Sequence, residues 1–179
     1  MAKKVFIVSA SLRRDSNSEK LAKEFADGAT KAGNTVKFVS LKDLKFNYCL
    51  GCLYCQRSGE CVQNDPMKAT YEEVGGNDVL VFATPMYYDG LPGQMKAFID
   101  RLNPLYQRNN CFKDVYILGA CSGDKKEDFD PCVSQIKHWV DRYEGVQIKG
   151  CVVALNTTFP NDVADEFLDK AYKLGSKIE

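Results

Sequence analysis

The chain has 179 residues, enough for one compact domain with its own hydrophobic core and no need of disulfide staples. Apolar residues make up 45% and charged residues 27%, and Lys plus Arg equals Asp plus Glu at 24 each; this excludes a disordered or fibrous chain and argues against nucleic acid or a membrane surface as the main partner. No apolar run approaches the roughly 18–20 residues of a membrane span, so the expectation is a cytoplasmic protein whose eight cysteines are thiols, metal ligands or redox groups rather than a disulfide framework.

Short runs rich in Val, Ile and Phe recur at Lys4–Ala10, Thr35–Leu41, Asp78–Thr84, Asp114–Ala120 and Val146–Leu155, with helix-period segments between them. That rhythm predicts parallel strands joined by crossover helices. Phe6-Ile7-Val8 and Val79-Leu80-Val81-Phe82 are continuously apolar, as central strands covered on both faces must be. The first helix is expected to begin at Ser16–Ser18, to turn Leu21, Ala22, Phe25, Ala26 and Ala29 inward, and to stop at Gly33. Pro92 is placed to open another, Asp130-Pro131 the next, and Asp162 the last, whose inner face is Val163, Phe167, Ala171, Leu174 and Ile178. Residues 1–179 read as a single domain interrupted by one irregular, cysteine-rich stretch at about 42–66.

Residues 9–18, SASLRRDSNS, follow the first strand and open onto a helix N-terminus. Hydroxyls at Ser9, Ser11, Ser16 and Ser18, the Asn17 amide and the guanidinium groups of Arg13 and Arg14 surround free backbone N–H groups at the positive end of a helix dipole, a setting that favours a phosphate. Neither the glycine pattern of a dinucleotide fingerprint nor a Gly-Lys-Ser/Thr run is present, so a monophosphate suits the loop better. The competing reading is a plain helix cap beside solvated arginines. After the third strand, Tyr87 and Tyr88 between Pro85 and Gly90 offer flat faces for a ring system at the same sheet edge, or a tyrosine-rich loop packed on its neighbours.

Cys49, Cys52, Cys55 and Cys61 lie in the segment CLGCLYCQRSGEC. Thiolates so closely spaced are like the ligand runs that wrap a cubane cluster, whereas a structural zinc site takes two pairs separated by a longer loop. Packing or free thiols is the alternative, and it is the expected state of Cys111, Cys121, Cys132 and Cys151. His138 and Trp139 fall in helical context and read as surface or packing residues.

Thr84–Arg101, together with Ser11-Leu12-Arg13 and Ser16-Asn17-Ser18, closely resembles the NAD(P)H-dependent FMN reductase and iron-sulfur flavoprotein families. The resemblance runs over nearly the whole chain, with Leu12 and Tyr88 departing from the family's usual residues. It implies a flavodoxin-like α/β fold, a doubly wound five-stranded parallel sheet of order 2-1-3-4-5 with helices on both faces. It further implies FMN as cofactor, its phosphate held by Ser11, Arg13, Ser16, Asn17 and Ser18 and its ring flanked by Pro85, Met86, Tyr87, Tyr88 and Gly90. A third contact follows the fourth strand at Ala120, Cys121 and Ser122.

The implied activity is NAD(P)H oxidation through FMN, with the electrons passing to a small acceptor or a redox protein, or through a four-iron four-sulfur cluster on the four loop cysteines. A flavodoxin-type carrier and a redox sensor without nicotinamide turnover are the alternatives. A homodimer or homotetramer is also implied.

Overall fold

The structure, a computed structural model, describes residues 1–179. Five strands form one parallel sheet: β1 (Lys4–Ser9), β2 (Thr35–Ser40), β3 (Val79–Pro85), β4 (Asp114–Ala120) and β5 (Gln147–Ala154), in the order β2-β1-β3-β4-β5. The expected flavodoxin-like topology is therefore present. All four pairings are in regular register except for one shift between Val115 and Tyr116 against β5.

The central strands bury both faces, and their alternation sorts the core into two layers. Val5, Ile7, Val79 and Val81 point to one side, where they meet Leu21, Ala22 and Phe25 of α1 (Asn17–Lys31) and Ala171 of α6 (Asp165–Gly175). Phe6, Val8, Leu80 and Phe82 point to the other. There they meet Met67, Tyr71 and Val74 of α3 (Met67–Gly75), Met95 and Phe98 of α4 (Gly93–Arg101) and Ile136 of α5 (Asp130–Val140). A short α2 (Tyr54–Ser58) lies within the cysteine stretch, and 3-10 turns cover Asn103–Gln107 and Lys126–Phe129.

On the first face the two helices approach so closely that only glycine fits: a Cβ on Gly28 would lie 2.1 Å from the Tyr172 carbonyl oxygen, and one on Gly175 2.1 Å from that of Phe25. This crossing docks the C-terminal helix beside the helix that carries the phosphate loop.

Predicted and observed elements agree within a residue or two, with one correction. The last helix opens at Asp165, not at Asp162. Asp162 instead accepts a hydrogen bond from the Phe159 N–H in a turn where Asn161 has φ 67°, and that turn is drawn toward the first loop.

Because β1 is central and β2 and β3 flank it, the loops leaving β1 and β3 diverge at their carboxyl ends and leave a crevice.

Candidate functional site

That crevice is a cavity of about 230 Å³. One wall is Ser11, Arg13, Ser16, Asn17 and Ser18 from the β1–α1 loop; the second is Pro85, Met86 and Tyr87 after β3; the third is Ala120, Cys121 and Ser122 after β4. Thr157, Thr158 and Pro160 after β5 close it. Three segments far apart in sequence thus meet where the sequence placed them.

The phosphate loop is held in shape before any ligand arrives. Ser16 is the N-cap of α1: its Oγ accepts from the Glu19 N–H at 3.4 Å and lies 3.2 Å from Ser18 Oγ. Ser11, only 1% exposed, accepts the Arg13 N–H at 3.3 Å. The N–H groups of Asn17 and Ser18, in the first turn of the helix, have no acceptor in the chain. Not one carboxylate stands among the wall residues, and Arg13 supplies a positive charge. Unused donors, an arginine, small hydroxyls and no anion fit a phosphate monoester, and the Met86–Tyr87 wall fits an aromatic ring system: together, the two ends of FMN.

Not every expected residue reaches the wall in the expected way. The Asn17 side chain is tied to the β5–α6 connection: its Nδ2 donates to the Phe159 carbonyl oxygen at 2.8 Å and its Oδ1 accepts the Val163 N–H at 3.1 Å, which leaves one amide N–H and the backbone N–H unused. Ser9 is fully buried at the end of β1, behind the wall, and its Oγ has no hydrogen-bond partner. Tyr88 is fully exposed and absent from the wall. The backbone explains why: Tyr87 and Gly90 pair across a tight turn whose central residues, Tyr88 and Asp89, have φ of 47° and 54°, which throws the Tyr88 ring outward. Gly90 shapes that turn without lining the cavity. Two left-handed non-glycine residues in succession mark a strained rim, a feature concentrated at functional sites.

Sequence reasoning missed Thr157, Thr158 and Pro160. Their one signal was position, at the carboxyl end of β5 where ligands of such sheets bind. They are tied to two other walls: Arg13 of the phosphate loop donates to the Thr158 carbonyl oxygen at 3.1 Å, and the Thr157 hydroxyl donates to that of Cys121, after β4, at 2.9 Å. Cys121 is buried at the base of the third wall, and burial holds its thiol above the ordinary value, so it stays protonated and apolar in character.

Some distance along α4 lies the cysteine stretch. Cys49, Cys52, Cys55 and Cys61 line a single small hollow of about 20 Å³, with Asn103 on its inner side. No three His, Cys, Asp or Glu side chains of the chain converge enough to hold one metal ion, which counts against a mononuclear zinc site. A cubane makes no such demand, because each thiolate binds a different iron. Cys49 and Cys52 are exposed, Cys61 is half-buried and Cys55 is buried. Four thiols on one wall are the donor set that such a group takes.

A sequence model of a family described as NADPH-dependent FMN reductase matches residues 3–159. The chain belongs to this family. Like its other members it is an oxidoreductase that works with FMN and takes NAD(P)H as co-substrate. An iron-sulfur flavoprotein of Archaeoglobus fulgidus is 33% identical over 175 residues, covering 96% of this chain and 76% of the relative. The iron-sulfur flavoprotein MJ1083 of Methanocaldococcus jannaschii is 28% identical over 69% of this chain and 66% of its own length. Among solved structures, the NAD(P)H:quinone oxidoreductase from Methanothermobacter marburgensis superposes with a TM-score of 0.74 at 22% identity, covering 100% of this chain and 97% of that one, a likeness of fold.

Proposed function

We propose that this FMN-dependent oxidoreductase carries a second, one-electron redox site in its cysteine loop, with Cys49, Cys52, Cys55 and Cys61 as ligands of a four-iron four-sulfur cluster. The observation that supports the reading is that all four cysteines of the loop line a single hollow. The names of the Archaeoglobus and Methanocaldococcus relatives agree with it.

FMN in the cavity supplies acceptance of a hydride from reduced nicotinamide and release of the electrons singly or in pairs; a cluster supplies a one-electron outlet. The protein's own part is to bind and orient. Ser11, Ser16, Ser18 and the N–H groups of Asn17 and Ser18 hold the phosphate, Arg13 neutralises part of its charge, and Met86 and Tyr87 shield the ring. No side chain in the cavity wall is a carboxylate or histidine. Exposed Tyr48, Leu50, Leu53, Tyr54 and Val62 around the cysteines give the loop an apolar outer surface that suits a second copy of the chain or a redox protein.

The second reading is direct transfer to a small planar acceptor that takes the place of nicotinamide against the flavin, for which Tyr87, in the cavity wall yet 38% exposed, offers a flat face. Oxygen-free purification with iron, acid-labile sulfide and flavin assays separates the two. About four irons and four sulfides per chain support the cluster; flavin without iron leaves the small-acceptor reading.

A further inference from the structure

We infer that Asn103 and Arg101 are positioning residues for the cysteine site: side-chain N–H groups presented from the end of α4 hold the Cys55 and Cys61 sulfurs and set the reduction potential of the group those sulfurs ligate. The inference rests on the cluster reading above.

The four sulfurs are not equivalent. Asn103 Nδ2 donates to Cys55 Sγ at 3.3 Å, and Arg101 Nη2 reaches Cys61 Sγ at 3.7 Å with an N–H that it shares with a nearer oxygen acceptor. Cys49 Sγ receives only the N–H of Gly51, two residues along, at 3.5 Å, and Cys52 Sγ receives no hydrogen bond. Thus two sulfurs are gripped by the scaffold and two belong to the exposed side of the loop.

Arg101 is itself immobilised. It is 1% exposed; Nη1 and Nη2 donate to the two oxygens of Asp65 at 2.7 and 2.9 Å, Nη2 also to Tyr71 Oη at 3.2 Å, and Nη1 to the Asn47 carbonyl oxygen. Asn47 lies at the entrance of the loop, Asp65 at its exit and Cys61 between them, so one guanidinium closes the whole stretch like a buckle. Asp65 balances its charge. What reaches the Cys61 sulfur is therefore a shared N–H, not a net cation, and the directed donor of the site is Asn103.

Reducing a cluster adds negative charge that its sulfurs share, and N–H donors aimed at those sulfurs favour the reduced form. A packing role alone for the same contacts affects how much cluster is held, and leaves the potential where it is. That difference makes the inference testable.

The experiment is a redox titration of the oxygen-free wild type, Asn103→Leu and Asn103→Gln, following the cluster's electron paramagnetic resonance signal, with iron and sulfide counted on each sample. Asn103→Leu keeps the shape and removes the donor. We expect its reduction equilibrium to shift about tenfold toward the oxidised form, which is about 59 mV lower for a one-electron couple, with Asn103→Gln recovering most of the shift. A fully loaded Leu variant with the wild-type potential overturns the inference and leaves the cluster reading standing. Wild type without iron or sulfide overturns both. Should the Leu variant fail to load, wild-type protein carrying ¹⁵N-asparagine decides the question. Magnetic coupling of the reduced cluster to a side-chain asparagine nitrogen supports the contact, and absence of that coupling refutes it.

Discussion

Replacing Asp65 by Asn removes one negative charge from the buried pair with Arg101 while keeping its shape. The guanidinium is 1% exposed and the Asp65 side chain 7%. The guanidinium already lacks a partner for Nε and would keep the Asn47 carbonyl oxygen, Tyr71, Cys61 and one neutral amide oxygen as acceptors, with no carboxylate. Two charge-assisted bonds at about 1.5–3 kcal/mol each are lost or weakened, and breaking a buried pair on one side costs about 3–5 kcal/mol. Urea unfolding at pH 7 with a slope near 2 kcal/mol/M therefore shows the midpoint falling by about 1.5–2.5 M. Burial alone raises the Asp65 carboxyl, but the hydrogen bonds from Arg101 and the backbone N–H groups of Asn47 and Met67 overcome it and leave the carboxyl below its ordinary value. A depressed carboxylate stabilises fully above its unfolded value of about 3.9 and loses that contribution as pH falls through the lower folded value. The gap between wild type and Asp65→Asn is thus constant from neutral pH to about 5 and closes below about 4. A loss under 1 kcal/mol, or a gap that widens in acid, refutes this account of the loop's anchor.

Ser16→Ala removes the α1 cap and a phosphate donor. Thermal unfolding should show about 1 kcal/mol lost, and fluorescence titration a roughly 10- to 100-fold weaker FMN affinity. Gly175→Ala forces a Cβ against the Phe25 carbonyl oxygen and pushes α6 away from α1; a cost of about 2–3 kcal/mol is expected in denaturant unfolding, and a variant of wild-type stability contradicts the packing described. Burial pushes the Cys132 thiol up to about 12 and that of Cys151 to about 11, while Cys111 is exposed. Iodoacetamide at pH 8 followed by peptide mass mapping should therefore label Cys111 well before Cys132 and Cys151, which stay unmodified until the protein unfolds.

The strands were legible because doubly buried strands must be continuously apolar, and Phe6–Val8 and Val79–Phe82 are. Ser16 and Gly33 announced the ends of α1 through capping chemistry that acts within a few residues. Long-range pairings escaped. Asp65 accepts the Met67 N–H at the start of α3, a local contact, yet its larger role is the bond to Arg101, 36 residues on, which no local pattern encodes. The bonds from the Asn17 side chain to the turn at 159–163 also escaped, because that turn is polar and carries no motif. Tyr88 was misjudged because its direction follows from a left-handed backbone, and neither Tyr88 nor Asp89 is the glycine that usually advertises one.

The site assignment depends most on the claim that the loop from Ser11 to Ser18 recognises a phosphate. Titration of flavin-free protein with FMN and with riboflavin, followed by quenching of flavin fluorescence, tests it directly. Two or more charge-assisted hydrogen bonds to the phosphate predict FMN binding at least about 100-fold tighter than riboflavin, a preference that Ser16→Ala reduces. Equal affinity for the two flavins would contradict the account.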